Sequence, residues 1–406
     1  METISNKKKV AIVVCTWPPN GGGIGNNAYY QAIKLSQIGY SVGVFTFGFD
    51  NIDKSQNGFS LWPLKGFMKI GLAGWLRGLW RNLSDYQIIH LYSPFFGSDL
   101  SVLLFKLLHP KVKLVIHYQM DPLESGFKGL VFWLYVKLFW PLIFNTADLI
   151  GVLSYDHAQN SYLKKLLNKN PDKFFELPNG VDAQLFTPGE KNLNLIAQYN
   201  LNPYDKLILF VGGLDRQHYF KGVPELLKAL KMMDINFFPD VIGERGIKGV
   251  LNDFRGEAKV LIIGDGDLRD EYQKLAFELG VAERVFFIGW VDNSQLPDYY
   301  RLADVLVLPS TVGIESFGIV LAEAQSCGVP VITSDWPGVR LTLEDNKTGF
   351  LVKPGDINDL KEKLKKILND KNLRQQFGVN GRLRVVSKYD WPIIIKLLDE
   401  KYSQLT

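Results

Sequence analysis

Short apolar, β-branched runs alternate with segments of helical periodicity from one end of the chain to the other. In the first half the runs fall at 10–15, 41–47, 87–91, 112–117, 148–153 and 174–177. In the second half they fall at 207–211, 259–263, 285–288, 305–308, 329–333 and 349–352. They are apolar on successive positions rather than every second one, which is the pattern of parallel strands covered by helices on both faces. The expected fold class is therefore α/β, with two Rossmann-like doubly wound domains. Pro188, Gly189 and an Asn-rich polar stretch place the boundary near 188–204, giving domains of 1–190 and 191–390. Without a long linker, the two halves are expected to face each other across a deep cleft, and open parallel sheets bind ligands beyond the carboxyl ends of their strands. A last helix over 392–402, with no strand after it, is expected to pack back on the first domain.

The composition narrows the class of protein. The 406 residues are 47% hydrophobic and 22% charged, which excludes a disordered chain or a disulfide scaffold. Cys15 and Cys327 both sit in apolar runs and read as packing residues in a reducing compartment. Lys7, Lys8 and Lys9 before an apolar run faintly resemble a signal peptide, but Pro18, Pro19 and a glycine cluster interrupt it, so a cytosolic start is expected. A net charge of +4 is too small to point to nucleic acid. Its distribution is uneven. Residues 1–190 hold 18 Lys+Arg against 13 Asp+Glu, and the second half holds 28 against 29.

That basic excess changes the reading of two aromatic segments. Residues 129–144, GLVFWLYVKLFWPLIF, fall short of the ~18 to 20 uninterrupted apolar residues that span a bilayer. A buried core helix and an interfacial helix both fit them, the second through Trp133, Tyr135, Lys137 and Trp140. Residues 74–83, GWLRGLWRNL, have the same texture. A solvated basic face and a face meeting an anionic membrane remain open for this half.

The most specific chemical pattern is ESFGIVLAE, residues 315–323, running into an apolar helix expected over 319–327. Two carboxylates eight apart suggest a hydrolytic pair, yet eight helical residues rise ~12 Å, beyond the ~5 to 9.5 Å such pairs require. The spacing suits an extended anionic ligand better. Phe317, Gly318, Ile319 and Val320 offer amides at a helix start for phosphate, with Glu315 and Glu323 on either side for sugar hydroxyls.

This region resembles the signature of the retaining family 4 glycosyltransferases of the GT-B fold, a Glu followed by seven residues and a second Glu, and the resemblance extends over nearly the whole chain. GGLDRQHYFKG, residues 212–222, is similar to the loop whose Arg and Lys hold the donor diphosphate, here Arg216 and Lys221, with Gly213 in the same loop. PNGVD at 178–182 resembles the segment closing the first domain. GDGDL with Gly266, and FIGWV with Ile288 and Gly289, match the loops placed around the nucleotide. NGGGIG, residues 20–25 with Gly22 and Gly23, resembles the loop near the donor phosphates, although Gly25 stands where the family often has an acidic residue. His117 occupies the place of an active-site histidine near the donor sugar. The resemblance implies transfer of a hexosyl unit from a UDP- or GDP-sugar, with no cofactor or metal required. The basic first half with its segments 129–144 and 75–81 favours a saccharide or lipid-linked acceptor met by peripheral contact at the cytoplasmic membrane face. The resemblance gives no contacts for residues 234–258.

The chemistry of the residues agrees with this. Breaking a sugar–phosphate bond leaves charge on a nucleoside diphosphate, which Arg216, Lys221 and the helix start near Gly318 would stabilise. By the resemblance, Glu315 holds hydroxyls of the moving sugar, Glu323 the ribose, and no residue acts as nucleophile. Other readings are weaker. Gly23, Gly25 and Ala28 with Asp50 fit a dinucleotide fingerprint, but Thr16 to Gly22 intervenes where a tight turn is expected. Asp265-Gly266-Asp267 suggests a metal-dependent transferase, which two Rossmann-like halves do not suit. A sugar-nucleotide epimerase of similar architecture, a hydrolytic or phosphorolytic relative and a noncatalytic nucleotide-sugar-binding subunit complete the set.

Overall fold

The computed structural model describes residues 8–18, 22–48, 58–70, 73–122, 126–233, 236–237 and 256–405. The chain forms two compact units, one of residues 1–180 with 391–406 and one of residues 181–390. The sequence boundary at 188–204 lies downstream of that division, because residues 181–190 bond within the second unit. Val181 N–H donates to Tyr389 O, and Phe186 O accepts from Ser326 Oγ and from Arg382.

The first unit is built on β1 (Lys9–Val13), β2 (Ser41–Phe47), β3 (Ser60–Leu64), β4 (Gly66–Ile70), β5 (Ala73–Leu76), β6 (Ile88–Ser93), β7 (Lys113–Tyr118), β8 (Leu149–Val152) and β9 (Phe174–Glu176). Seven of these make a sheet in the order β3-β2-β1-β6-β7-β8-β9, and every neighbouring pair is parallel. The order reverses between β1 and β6, the switch point at which doubly wound sheets bind ligands. Its helices are α1 (Gly22–Gln37), α2 (Leu79–Leu83), α3 (Ser98–Leu108), α4 (Gly126–Thr146), α5 (Tyr155–Gln159) and α6 (Lys164–Lys169). A helix over Trp391–Leu405 packs against α1.

Period-two alternation assigns side chains to the two faces even though both are apolar. Val10 and Ile12 of β1 join Ala28, Trp391, Ile395 and Leu398 on one face, whereas Ala11 and Val13 join Val102, Phe105, Trp140 and Phe144 on the other. At ~1.5–3 kcal/mol for each fully buried large apolar side chain, these two layers supply most of the unit's driving force. The short strands β3 to β5 went unread in the sequence. Pro63 confines β3 to the sheet edge, where no ladder bond is needed from its nitrogen. Residues 74–83 are also not one segment, since β5 ends at Leu76 and α2 begins at Leu79.

In the second unit, β10 (Lys206–Val211), β11 (Asn236–Phe237), β12 (Gly256–Ile263), β13 (Val285–Gly289), β14 (Val305–Leu308), β15 (Val331–Ser334) and β16 (Gly349–Val352) form a sheet ordered β11-β12-β10-β14-β15-β16, with β13 also paired to β12. Among the described strands of this sheet, only β11 pairs antiparallel. Its helices are α7 (Leu193–Gln198), α8 (Val223–Lys231), α9 (Arg269–Glu278), α10 (Leu296–Leu302), α11 (Ile319–Ser326), α12 (Ile357–Asn369) and α13 (Lys371–Lys388), so the C-terminal helix of the first unit becomes α14. The switch point lies between β10 and β14, which puts the loops 212–222 and 309–318 beside each other at the carboxyl ends of neighbouring strands.

Candidate functional site

Three loops at the carboxyl ends of β10, β12 and β13 are joined by backbone hydrogen bonds. Gly212 N–H donates to Ile263 O, Leu214 N–H to Asp265 O, Leu268 N–H to Leu214 O and Gly264 N–H to Gly289 O. This brings Gly213, Gly266, Ile288 and Gly289 into one neighbourhood. The approach demands glycine at 264, where φ is +135° and a Cβ would stand 1.8 Å from Gly212 O. Gly264→Ala is expected to destabilise the second unit by on the order of 1–3 kcal/mol, read as a shift in its denaturant midpoint.

Lys221 leaves the first of these loops and meets Glu315 from the neighbouring one. The ammonium lies 3.1 Å from Glu315 Oε2, and each side chain is 15% exposed. Glu315 Oε1 accepts the Gly318 N–H at 3.1 Å. One carboxylate thus bridges a cation and the amide that precedes α11. Gly318 has φ +69° as the helix cap, and the amides of Ile319 and Val320, which follow it, have no intrahelical acceptor. Phe317 is buried edge-on to Tyr389, and its carbonyl accepts from Thr342 Oγ1. These contacts fix the turn that aims the helix start. Glu315 lies off the helix, so the ~12 Å helical separation expected from its spacing to Glu323 does not hold.

Glu323 is buried within α11, and its Oε2 accepts a 2.6 Å hydrogen bond from Tyr300 Oη of α10. Burial raises its carboxyl to about 7, and the Tyr300 hydroxyl opposes that rise. No sequence pattern pairs residues 23 apart on different helices, so Tyr300 went unread. Arg269 did too; its guanidinium donates to Phe287 O at 3.0 Å beside the Ile288–Gly289 end of β13.

Because its folded pKa lies above the unfolded value, Glu323 binds more protons in the native state, and its contribution to stability is lost as pH rises from the unfolded range through about 7. A ligand hydroxyl donating to Glu323 favours the ionised form. With the donor's ribose on Glu323, as the sequence resemblance implies, donor binding near pH 7 is expected to release protons, measured as a buffer-dependent enthalpy in calorimetry. Tyr300→Phe removes the bond that lowers the Glu323 pKa, so the donor-affinity profile is expected to move to higher pH, by roughly one unit for a hydrogen bond worth ~1.5 kcal/mol.

Arg216 is held differently. It is 70% exposed, with Nε 3.1 Å from Asp267 and an Nη 2.8 Å from Glu271, while its backbone N–H donates to Asp267 Oδ1. Such solvent-facing pairs are worth little, typically ~0–1 kcal/mol, so Arg216 can leave these carboxylates at little cost. Asp215 binds the His218 ring at 2.8 Å in the same loop.

The remaining expected residues belong to the first unit. Gly22 and Gly23 open α1, with open space where a Cβ would point, and φ of +54° makes glycine the favoured residue at 22. Asn20 and Gly21 lie outside the described residues, as do Asp50 and residues 238–255. His117 is buried in β7 beside His90 and Tyr92, and its Nε2 pairs with Leu177 O at 2.9 Å. Desolvation lowers it to about 3, so the ring is neutral, with Nε2–H as donor and Nδ1 as a buried acceptor without a partner among the described residues.

Comparison with known proteins gives this geometry its context. The family model for glycosyl transferases group 1 matches residues 192–384, the strands and loops just described. The model for Glycosyltransferase Family 4 matches residues 21–185. An uncharacterized glycosyltransferase of Methanocaldococcus jannaschii is 25% identical over 96% of both chains. A phosphatidyl-myo-inositol mannosyltransferase of Mycobacterium leprae is 28% identical over 80% of this chain and 75% of its own. Among solved structures, a sucrose-phosphate synthase from Thermosynechococcus elongatus superposes with a TM-score of 0.75 at 24% identity, covering 98% of this chain and 99% of its own. Anabaena HepE in complex with UDP-glucose gives 0.75 at 18% identity, covering 98% and 99%. Two parallel α/β units, glycine loops around a switch point and a two-glutamate helix start thus accompany family matches over both halves: residues 21–185 match Glycosyltransferase Family 4, residues 192–384 match glycosyl transferases group 1, and the two together have the GT-B glycosyltransferase fold.

Proposed function

We propose that the protein is a retaining glycosyltransferase that moves a hexosyl unit from a UDP- or GDP-sugar to a saccharide or lipid-linked acceptor at the cytoplasmic face of a membrane. The observation that carries the donor site is the Glu315 carboxylate bridging Lys221 Nζ and the Gly318 amide at the start of α11. It sets a cation and free amides where a diphosphate needs them, with oxygen acceptors for hydroxyls on either side. Lys221 and the amides of Ile319 and Val320 meet the β-phosphate, Arg216 exchanges Asp267 and Glu271 for a phosphate oxygen, and Gly213, Gly266, Ile288 and Gly289 let backbone approach the nucleoside. Glu315 holds sugar hydroxyls and Glu323, set by Tyr300, the ribose.

In the reaction the bond from the anomeric carbon to the phosphate oxygen breaks, and its electron pair leaves with the nucleoside diphosphate. The acceptor oxygen bonds to the same face of that carbon and its proton passes to the departing phosphate. Gly22 and Gly23 are assigned to the donor phosphates and, by the family resemblance, His117, whose buried ring donates Nε2–H to Leu177 O, to the neighbourhood of the sugar or acceptor. The HepE complex with UDP-glucose supports a nucleotide-sugar donor, and the mycobacterial relative's name supports a lipid acceptor.

The test is incubation with UDP-, GDP- and ADP-sugars, with and without membrane extract, in the presence of chelator. Acceptor-dependent nucleotide release with an unchanged anomeric configuration in the labelled product is expected. Interconverted sugar nucleotides without acceptor would establish an epimerase instead, and donor binding without release a noncatalytic subunit.

A further inference from the structure

Helix α4 is apolar on every side, yet the core uses only one of its faces. Val136, Trp140, Ile143 and Phe144 are buried against the sheet, with Phe132, Tyr135 and Phe139 packed beside them. The outer face carries Leu130, Leu134, Leu138 and Leu142, one row at intervals of four, each 43–60% exposed, with Val131 and Trp133 alongside. Helix α3 shares the same core layer, and its outer face presents Leu104, Leu107 and Leu108 at 55–68% exposure. The two helices pack side by side, and Trp80 of α2 continues the layer through Phe105 and His109. A helix hydrophobic all round is normally enclosed, and no described residue encloses this one.

We propose that the outer faces of α3 and α4 form a docking surface that inserts into an anionic lipid bilayer, with both helices lying in the plane of the membrane. The charge distribution selects this occupant. Residues 58–146 hold nine Lys+Arg against four Asp+Glu, the whole basic excess of the first half. One of the four, Asp99, is buried with its carboxylate bonded to Tyr135. Arg77, Arg81, Lys111 and Lys137 are exposed and form no ion pair among the described residues. Lys137 Nζ lies 4.7 Å over the Trp133 ring, an aromatic and a cation together within the leucine surface. Protein interfaces are depleted in Lys, whereas bilayer interfaces favour Trp and Lys around an apolar wedge.

Residues Gly129–Thr146 are long and apolar enough to cross a membrane by composition. Crossing would strip Val136, Trp140, Ile143 and Phe144 from the core of the unit, which in-plane docking leaves intact. The purpose of the surface rests on the membrane-face reading of the acceptor, but its test does not.

The full chain is floated on vesicles of phosphatidylcholine alone or with about one third phosphatidylglycerol, at about 0.05 M and about 0.5 M salt. Flotation on the anionic vesicles at low salt is expected, weakened on the order of tenfold at high salt and by at least that in Leu134→Glu/Leu138→Glu. Phe277→Glu, an equally drastic change at an exposed residue of the second unit, is expected to float as the wild type. Arg81→Glu/Lys137→Glu is expected to lose the preference for anionic lipid, and it serves if the leucine variant misfolds by circular dichroism. Wild type left at the bottom with anionic vesicles overturns the proposal, as does a folded leucine variant that floats normally. A dimer in sedimentation that the leucine variant abolishes, without flotation, assigns the face to a second copy. Nucleotide release to a soluble acceptor, measured without vesicles, reports separately on transfer.

Discussion

Lys221→Ala is expected to lower kcat by roughly 10²- to 10³-fold, about 3–4 kcal/mol, the scale seen when a preorganised donor to a developing negative charge is removed. The side chain is largely withdrawn from water and already placed by Glu315, so in the proposed complex its charge would act on the leaving phosphate without reorganisation. Removing it also leaves Glu315 with the Gly318 amide alone, costing the second unit about 1–3 kcal/mol of stability. The two effects separate experimentally. Steady-state rates at saturating donor report the first, and denaturant midpoints report the second. Arg216→Ala, at a flexible exposed position, is expected to cost less in kcat and more evenly in donor affinity. An unaltered turnover in folded Lys221→Ala would remove this residue from the proposed role.

Glu315→Ala and Glu323→Ala are expected to fail in different ways although both delete a carboxylate. Glu315 orders both Lys221 and the helix start, and in the proposed complex it touches the sugar that moves, so kcat falls at least as far as for Lys221→Ala. The double variant Lys221→Ala/Glu315→Ala is expected to be little worse than either single one, because the groups act as a unit. Glu323 is proposed to hold the ribose, which does not move, so its loss raises the donor Kd with a smaller change in kcat. A hydrogen bond to a charged group is worth ~1.5–3 kcal/mol, or roughly 10- to 100-fold in Kd. Donor titration against single-turnover rates distinguishes the two outcomes. Equal effects on Kd and none on turnover for Glu315→Ala would contradict the assignment.

Local chemistry accounts for what was readable without coordinates. Twelve apolar runs correspond to strands in place and order because parallel strands buried on both faces need continuous β-branched stretches, and no other element tolerates them as well. The pairing of Glu315 with a glycine-capped helix start was likewise legible, since cap, amide and carboxylate are neighbours along the chain. Strands β3 to β5 escaped because edge and hairpin strands carry Pro, Gly and exposed aromatics rather than a buried pattern.

What tertiary structure alone decided are contacts between residues far apart in sequence, and the choice among faces of a uniformly apolar helix. The Lys221 ammonium meets Glu315, and the Tyr300 hydroxyl meets Glu323, because β10 and β14 are neighbours at the switch point and α10 packs on α11. Arg216 turns to Asp267 and Glu271 once the loops after β10 and β12 are joined. Periodicity left open whether residues 129–144 were core or interface. Packing settles that one face of α4 is core and the other is not, because a layer one helix deep over a sheet covers only the side that looks inward.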